Sequence, residues 1–108
     1  MNFTDFTEFQ KNNTSTYIVF FNAKWCKPCQ TIKSYVQSKL ESSTYPYLSL
    51  DIDENSQVYT KFKAKKQVCG VPVLLAFKQG NESVIPDFSV MGADKSKIDL
   101  FFNQLASV

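Results

Sequence analysis

The sequence predicts an α/β sandwich, a central mixed sheet with helices on both faces. Three observations lead there. The runs at residues 17–21 and 73–77 are continuous and rich in β-prone apolar residues, as in strands buried on both faces. Apolar residues at Cys29, Ile32, Val36 and Leu40 recur every three or four positions, which is one helix face. Helical and strand patterns alternate along the chain, which favours helices layered on a sheet. A chain of 108 residues is expected to form one domain, 1–108.

Each element follows from local pattern. Phe3, Phe6 and Phe9 are three apart and predict a short helix over residues 5–11, with Asn2 or Thr4 as cap. Residues 12–16 are polar and turn-forming. The strand at 17–21 feeds a helix over 27–42, which stops at Ser43-Thr44-Tyr45-Pro46. Residues 47–51 read as a second buried strand. An acidic connection, Asp51-Ile52-Asp53-Glu54-Asn55, leads into a helix over 54–64 with Val58 and Phe62 inward. Lys61, Lys63, Lys65 and Lys66 form a basic cluster, read as a solvated face suited to a helix C-terminus. After the strand at 73–77, Gln79-Gly80-Asn81 is a hairpin turn and residues 82–86 begin the partner strand. A polar link over 87–93 leads to a last helix, capped by Asp94, with Ile98, Phe101, Phe102 and Leu105 on one face.

Composition narrows the function. A net charge of +2, from 12 basic and 10 acidic side chains, is too small to argue for nucleic acid and gives no reason to propose a membrane surface. No apolar run approaches the ~20 residues that span a bilayer. The first residues lack the basic start and apolar block of a signal peptide. There is no histidine, which removes His-based acid–base catalysis and the usual zinc ligand sets. The expected setting is cytoplasmic and reducing, where a Cys-x-x-Cys pair is catalytic more often than structural. Three cysteines cannot form a fully paired framework.

The chemistry converges on Trp25-Cys26-Lys27-Pro28-Cys29, at a strand-to-helix corner. The first N–H groups of a helix lack partners and the macrodipole is positive there. A thiolate at that point is stabilised, below the free-thiol pKa of about 8.5. One helical turn brings the second sulfur back within disulfide reach of the first. Cys26 is therefore expected to be the exposed nucleophile and Cys29 the more buried resolving thiol. Pro28 fits the first turn, where its missing N–H costs nothing.

The chain resembles the thioredoxin family over essentially its whole length. The resemblance rests on Ala23-Lys24-Trp25-Cys26-Lys27-Pro28-Cys29, on Asp51-Ile52-Asp53, on Gly70-Val71-Pro72 before an apolar strand with Lys78-Gln79-Gly80, and on Val90-Met91-Gly92-Ala93 before the last helix. It implies the thioredoxin fold and thiol–disulfide exchange, in which Cys26 attacks a protein disulfide and Cys29 resolves the mixed disulfide. It implies a cis-proline at Pro72 facing the dithiol, and a substrate rim made by Trp25, Val71, Pro72 and Gly92. On the residues alone, Trp25 could also be core packing, and Pro72 reads as a trans proline opening an edge strand. The family implies no bound cofactor, with electrons from NADPH through a separate thioredoxin reductase, disulfide-containing protein substrates, and a monomer.

The departures from the family pattern are specific. A buried Asp usual in the family is here Phe20, and the Lys that pairs with it is Ser49. Cys29 then sits in an apolar setting that raises its pKa by desolvation, and mixed disulfides should resolve slowly. Lys27 replaces a Gly and, with Pro28, is a candidate modulator of the Cys26 thiolate. A cation there would make the potential less reducing than the roughly −270 mV of thioredoxin, unless it is simply solvated. Asn22 and Ser34 replace a common Trp and a kinking Pro, and the stretch over 54–68 is longer than usual. Cys69 is a candidate regulatory thiol, a dimer crosslink or a third sulfur for Cys26; a small buried hydrophobe is the commoner fate. No metal is expected, since three thiolates without histidine leave a tetrahedral site incomplete. The rival function is a non-enzymatic binding module that docks partners on the rim around the motif.

Overall fold

In the computed structural model, which describes residues 1–65 and 70–107, the chain begins with α1 (Phe3–Asn12). Asn2 caps it through a reciprocal pair with Asp5: each side chain accepts the other's backbone N–H. There follow β1 (Tyr17–Asn22), α2 (Lys27–Ser42), β2 (Tyr47–Asp51), α3 (Ser56–Ala64), β3 (Val73–Phe77), β4 (Phe88–Met91) and α4 (Lys95–Ala106). The sheet order is β2-β1-β3-β4, with β1 parallel to β2 and antiparallel to β3, and β3 antiparallel to β4.

The predicted order of elements matches, and α2 and β3 have the predicted bounds. Two strands differ from expectation. β2 is an edge strand in which only Leu50 is buried, because just one of its sides pairs and its outer residues meet solvent. The partner of β3 is Phe88–Met91 rather than residues 82–86. The reason lies in the loop, where Asp87 accepts the Lys78 N–H at 2.7 Å and the Asn81 amide at 2.9 Å. These bonds gather residues 81–86 into an irregular turn and delay pairing. α3 also starts at Ser56, later than predicted, since the acidic residues before it are used elsewhere.

β1 and β3 are buried along their whole length and send alternate side chains to two faces. Phe6, Tyr17, Phe21, Phe62 and Phe77 form a ring-rich layer under α1 and α3. Edge-to-face contacts such as Phe6–Phe62 and Phe21–Phe62, with centroids 5.5 and 5.4 Å apart, lock it. On the other face Ile18, Phe20 and Leu74 meet Ile32, Val36 and Leu40 of α2 and Ile98, Phe101 and Leu105 of α4. Each such buried side chain contributes about 1.5–3 kcal/mol. α2 thereby becomes a rigid post whose N-terminus stands at the end of β1.

Candidate active site

Cys26 is the N-cap of α2. Its backbone is extended (φ −85°, ψ 109°) and its Sγ accepts the Cys29 N–H at 3.2 Å. Sulfur thus takes the place that a Ser or Asp oxygen holds at other helix starts. Pro28 lies in the first turn. The corner is closed by the Cys26 N–H and the Gln30 side-chain amide, which both donate to the Ala23 carbonyl, at 3.2 and 3.1 Å.

Cys26 and Cys29 form a disulfide, with Cα atoms 5.2 Å apart. Cys29 is 0% exposed and Cys26 5%. The expected order holds, but Cys26 is nearly covered rather than exposed. Ala23, Ile52 and Val71 pack against the pair. Cys26 Sγ lies 3.7 Å from the Val71 carbonyl oxygen.

The Val71–Pro72 peptide bond is cis. The Pro72 carbonyl accepts the Gly92 N–H at 2.9 Å, which ties this turn to the end of β4. Gly92 has φ +94°, and a Cβ there would meet no neighbour, so the glycine is required by backbone conformation and not by space. The fold thus brings Trp25, Cys26, Cys29, Val71, Pro72 and Gly92 to one end of the sheet. Lys27 is exposed on the first turn of α2. Cys69 lies outside the described residues.

Trp25 is 65% exposed, which excludes core packing. Its indole N–H donates to Asp53 at 2.7 Å. This contact belongs to a clasp that the linear sequence did not reveal. Asp51 accepts backbone N–H groups from Lys24 at 3.1 Å, Asp53 at 2.8 Å and Glu54 at 3.3 Å. Desolvation pushes its carboxyl up, but these three donors and the Lys24 charge hold it below the usual carboxylate range. Lys24 pairs with Glu54 at 2.9 Å, and the Ile52 N–H donates to the Asn22 carbonyl at 2.9 Å. The acidic turn after β2 therefore grips the loop that carries Trp25 and Cys26. The signal in the sequence was three acids in four residues; their partners lie 27 to 30 positions away.

Beneath the dithiol the chemistry is different. Phe20 is 1% exposed and stands opposite Ser49 in the β1–β2 register. The space among Phe20, Ile32, Val36, Pro72 and Ile98 is too tight to hold a water molecule. Asn22, also buried, donates weakly to Ser49 Oγ and the Leu50 carbonyl, both at 3.4 Å. Among the described residues, no group of three or more Cys, Asp or Glu side chains is arranged to hold a metal ion.

Known proteins agree with this geometry. The model of the thioredoxin family matches residues 1–103. Thioredoxins of Ovis aries and Homo sapiens are each 34% identical over 89 residues, covering 82% of this chain and 77% of theirs. Among solved structures, Trichomonas vaginalis thioredoxin superposes with a TM-score of 0.76 at 22% identity, covering 97% of this chain and 92% of that one. Nicotiana alata thioredoxin gives 0.74 at 24% identity, covering 94% and 83%. These two similarities bear on the fold alone. With the family matched along nearly the whole sequence and the Cys26–Cys29 pair at its helix start, the chain belongs to the thioredoxin family and is a thiol–disulfide oxidoreductase.

Proposed function

We propose that this domain reduces protein disulfides with Cys26 as nucleophile and Cys29 as resolving thiol. One observation carries the assignment. Cys26 Sγ occupies the N-cap of α2 and accepts the Cys29 N–H, so a negative charge on that sulfur meets unpaired helix donors and the positive end of the dipole. Cys29 sits inside the first turn with no exposed surface, while Cys26 keeps a small exposed fraction.

In the forward direction the Cys26 thiolate attacks one sulfur of the substrate, and the second substrate sulfur leaves with the electron pair. Cys29 then attacks Cys26 and releases the first substrate sulfur, leaving the observed bridge. Trp25, Val71, Pro72 and Gly92 form the substrate rim, and the Val71 carbonyl beside Cys26 offers an acceptor to an extended substrate backbone. Lys27 and Pro28 shape the start of the helix on which the thiolate depends. The family needs no bound cofactor. Electrons return from NADPH through a separate thioredoxin reductase, and the chain works as a single-domain monomer in the cytoplasm.

The test is insulin disulfide reduction with dithiothreitol as electron source. Wild type is expected to accelerate it, Cys26→Ser to abolish the acceleration, and Cys29→Ser to stall as a covalent adduct. Acceleration that survives in Cys26→Ser would refute the assignment.

A further inference from the structure

Gln30 follows the dithiol on the first turns of α2 and engages Cys26 from both sides. Its backbone N–H donates to the Cys26 carbonyl at 3.1 Å, as the helix begins. Its side-chain Nε2 reaches back over the same turn and donates to the Ala23 carbonyl at 3.1 Å. That carbonyl also accepts the Cys26 N–H at 3.2 Å, which closes a turn over residues 23–26 with Trp25 inside it. The same Nε2 lies 3.5 Å from the Lys24 carbonyl oxygen. Both backbone groups of Cys26 are therefore tied to one residue, the carbonyl directly and the N–H through a shared acceptor.

The tie has an electrostatic side. The Ala23 and Lys24 carbonyls bring the negative ends of their dipoles to the helix start, where the positive end of the macrodipole supports a thiolate. An amide N–H donated to these oxygens offsets their charge. The loop that carries Cys26 is gripped from two directions. Asp51 and Asp53 hold it to the turn after β2, through the Lys24 N–H at 3.1 Å and the Trp25 indole at 2.7 Å. Gln30 holds it to the helix whose dipole acts on the sulfur.

We propose that Gln30 is a positioning residue for the reaction. It fixes the turn over residues 23–26 so that Cys26 Sγ stays at the N-cap, and it thereby sets how readily that thiol ionises. The inference rests on the assignment of Cys26 as nucleophile. It acts through the Ala23 carbonyl and not on sulfur itself.

The test compares wild type with Gln30→Met, a neutral side chain of similar length without a donor, and Gln30→Lys, which restores a donor. Gln30 is exposed, so neither substitution disturbs the core. Reduced protein is alkylated with iodoacetamide across pH, and the rate at Cys26 is read by peptide mass. About 0.5 M salt screens the charge of the added lysine. In Gln30→Met the midpoint for Cys26 should rise by about 0.5 pH unit, a roughly threefold smaller thiolate fraction below the midpoint. Above both midpoints the variant should match or exceed wild type, because a more basic thiolate is the better nucleophile. Gln30→Lys should bring the midpoint back close to wild type.

An unmoved midpoint in Gln30→Met, with Cys26 still labelled ahead of Cys29, would overturn the proposal and leave the nucleophile assignment standing. An equal rise in Gln30→Met and Gln30→Lys would overturn it too, since the donor would then not be the cause. A slower rate in Gln30→Met at every pH, with no change of midpoint, would reduce Gln30 to a structural residue. Wild type labelled first at Cys29 would remove the assignment of Cys26 itself.

Discussion

The rim and the floor of the redox corner are built from opposite materials. Around the rim, Asp51, Asp53 and Glu54 reach across to Lys24 and Trp25 with charge-assisted bonds of 2.7–3.1 Å. Under the floor, Phe20 meets Ile32, Val36 and Ile98 with no room for water. The polar groups of this site hold a loop in place, while Cys29 itself lies among the apolar Ala23, Ile52 and Val71. Charge near a catalytic residue is therefore no guide to which group handles the proton: the carboxylates here are already spent on geometry.

The largest effect is expected from reversing the floor. Phe20→Asp removes a buried ring and buries a charge, at a cost of about 3–5 kcal/mol in stability. Turnover of disulfide substrates per folded molecule should nevertheless rise, because Cys29 gains a base. Ser49 is the direct cross-strand neighbour of Phe20, so adding Ser49→Lys gives the carboxylate a partner and should recover part of the stability. Urea titration and single-turnover kinetics on both variants check this. No gain in the rate of resolution would remove the floor from the account.

Loosening the rim should cost less. Asp51→Ala strips three backbone N–H groups of their acceptor, a loss of about 1–2 kcal/mol by analogy with helix caps, and should lower kcat/KM by freeing Trp25 and Cys26. Unchanged kcat/KM would reduce the clasp to decoration. The same group predicts a pH dependence. Asp51, Asp87 and Asp99 are all held below the usual carboxylate range, so the native state binds fewer acid protons than the unfolded chain. Their stabilisation is present above the unfolded value of about 3.9 and is lost as pH falls through the lower native values. At the alkaline end, burial lifts Tyr17 to about 12 against a partial offset from its Gln10 bond, so stability should also decline as pH rises past about 10. Thermal unfolding across pH measures both limbs, and a flat acid limb would contradict the first.

The smallest effect belongs to Lys27. An exposed cation beside the thiolate is worth about 0.5 kcal/mol, so Lys27→Gly should make the potential about 10 mV more reducing in a glutathione equilibration. An unchanged potential would make Lys27 a solvated surface residue.

How much of this was legible beforehand depended on range. α2 could be read to the residue because Pro28 marks its first turn and Cys29, Ile32, Val36 and Leu40 mark its face. β2 was read as buried because Tyr47, Leu48 and Leu50 are apolar, yet nothing local says that a strand lies at an edge. β4 escaped notice because four residues carry little periodicity, while Val84 and Ile85 upstream look equally β-prone and Asp87 diverts them. The dithiol site was legible because its parts are contiguous or follow a family pattern. The clasp was not, because Lys24 and Trp25 find their partners only after the sheet has formed.

The most direct measurement is the order in which the two thiols react. The reduced protein is treated briefly with iodoacetamide across a range of pH and the labelled cysteine is identified by peptide mass. Helix donors at the rim and an apolar floor beneath predict that Cys26 is labelled first at every pH, with Cys29 modified slowly even in alkaline solution. Equal labelling, or Cys29 ahead of Cys26, would contradict the account at its centre.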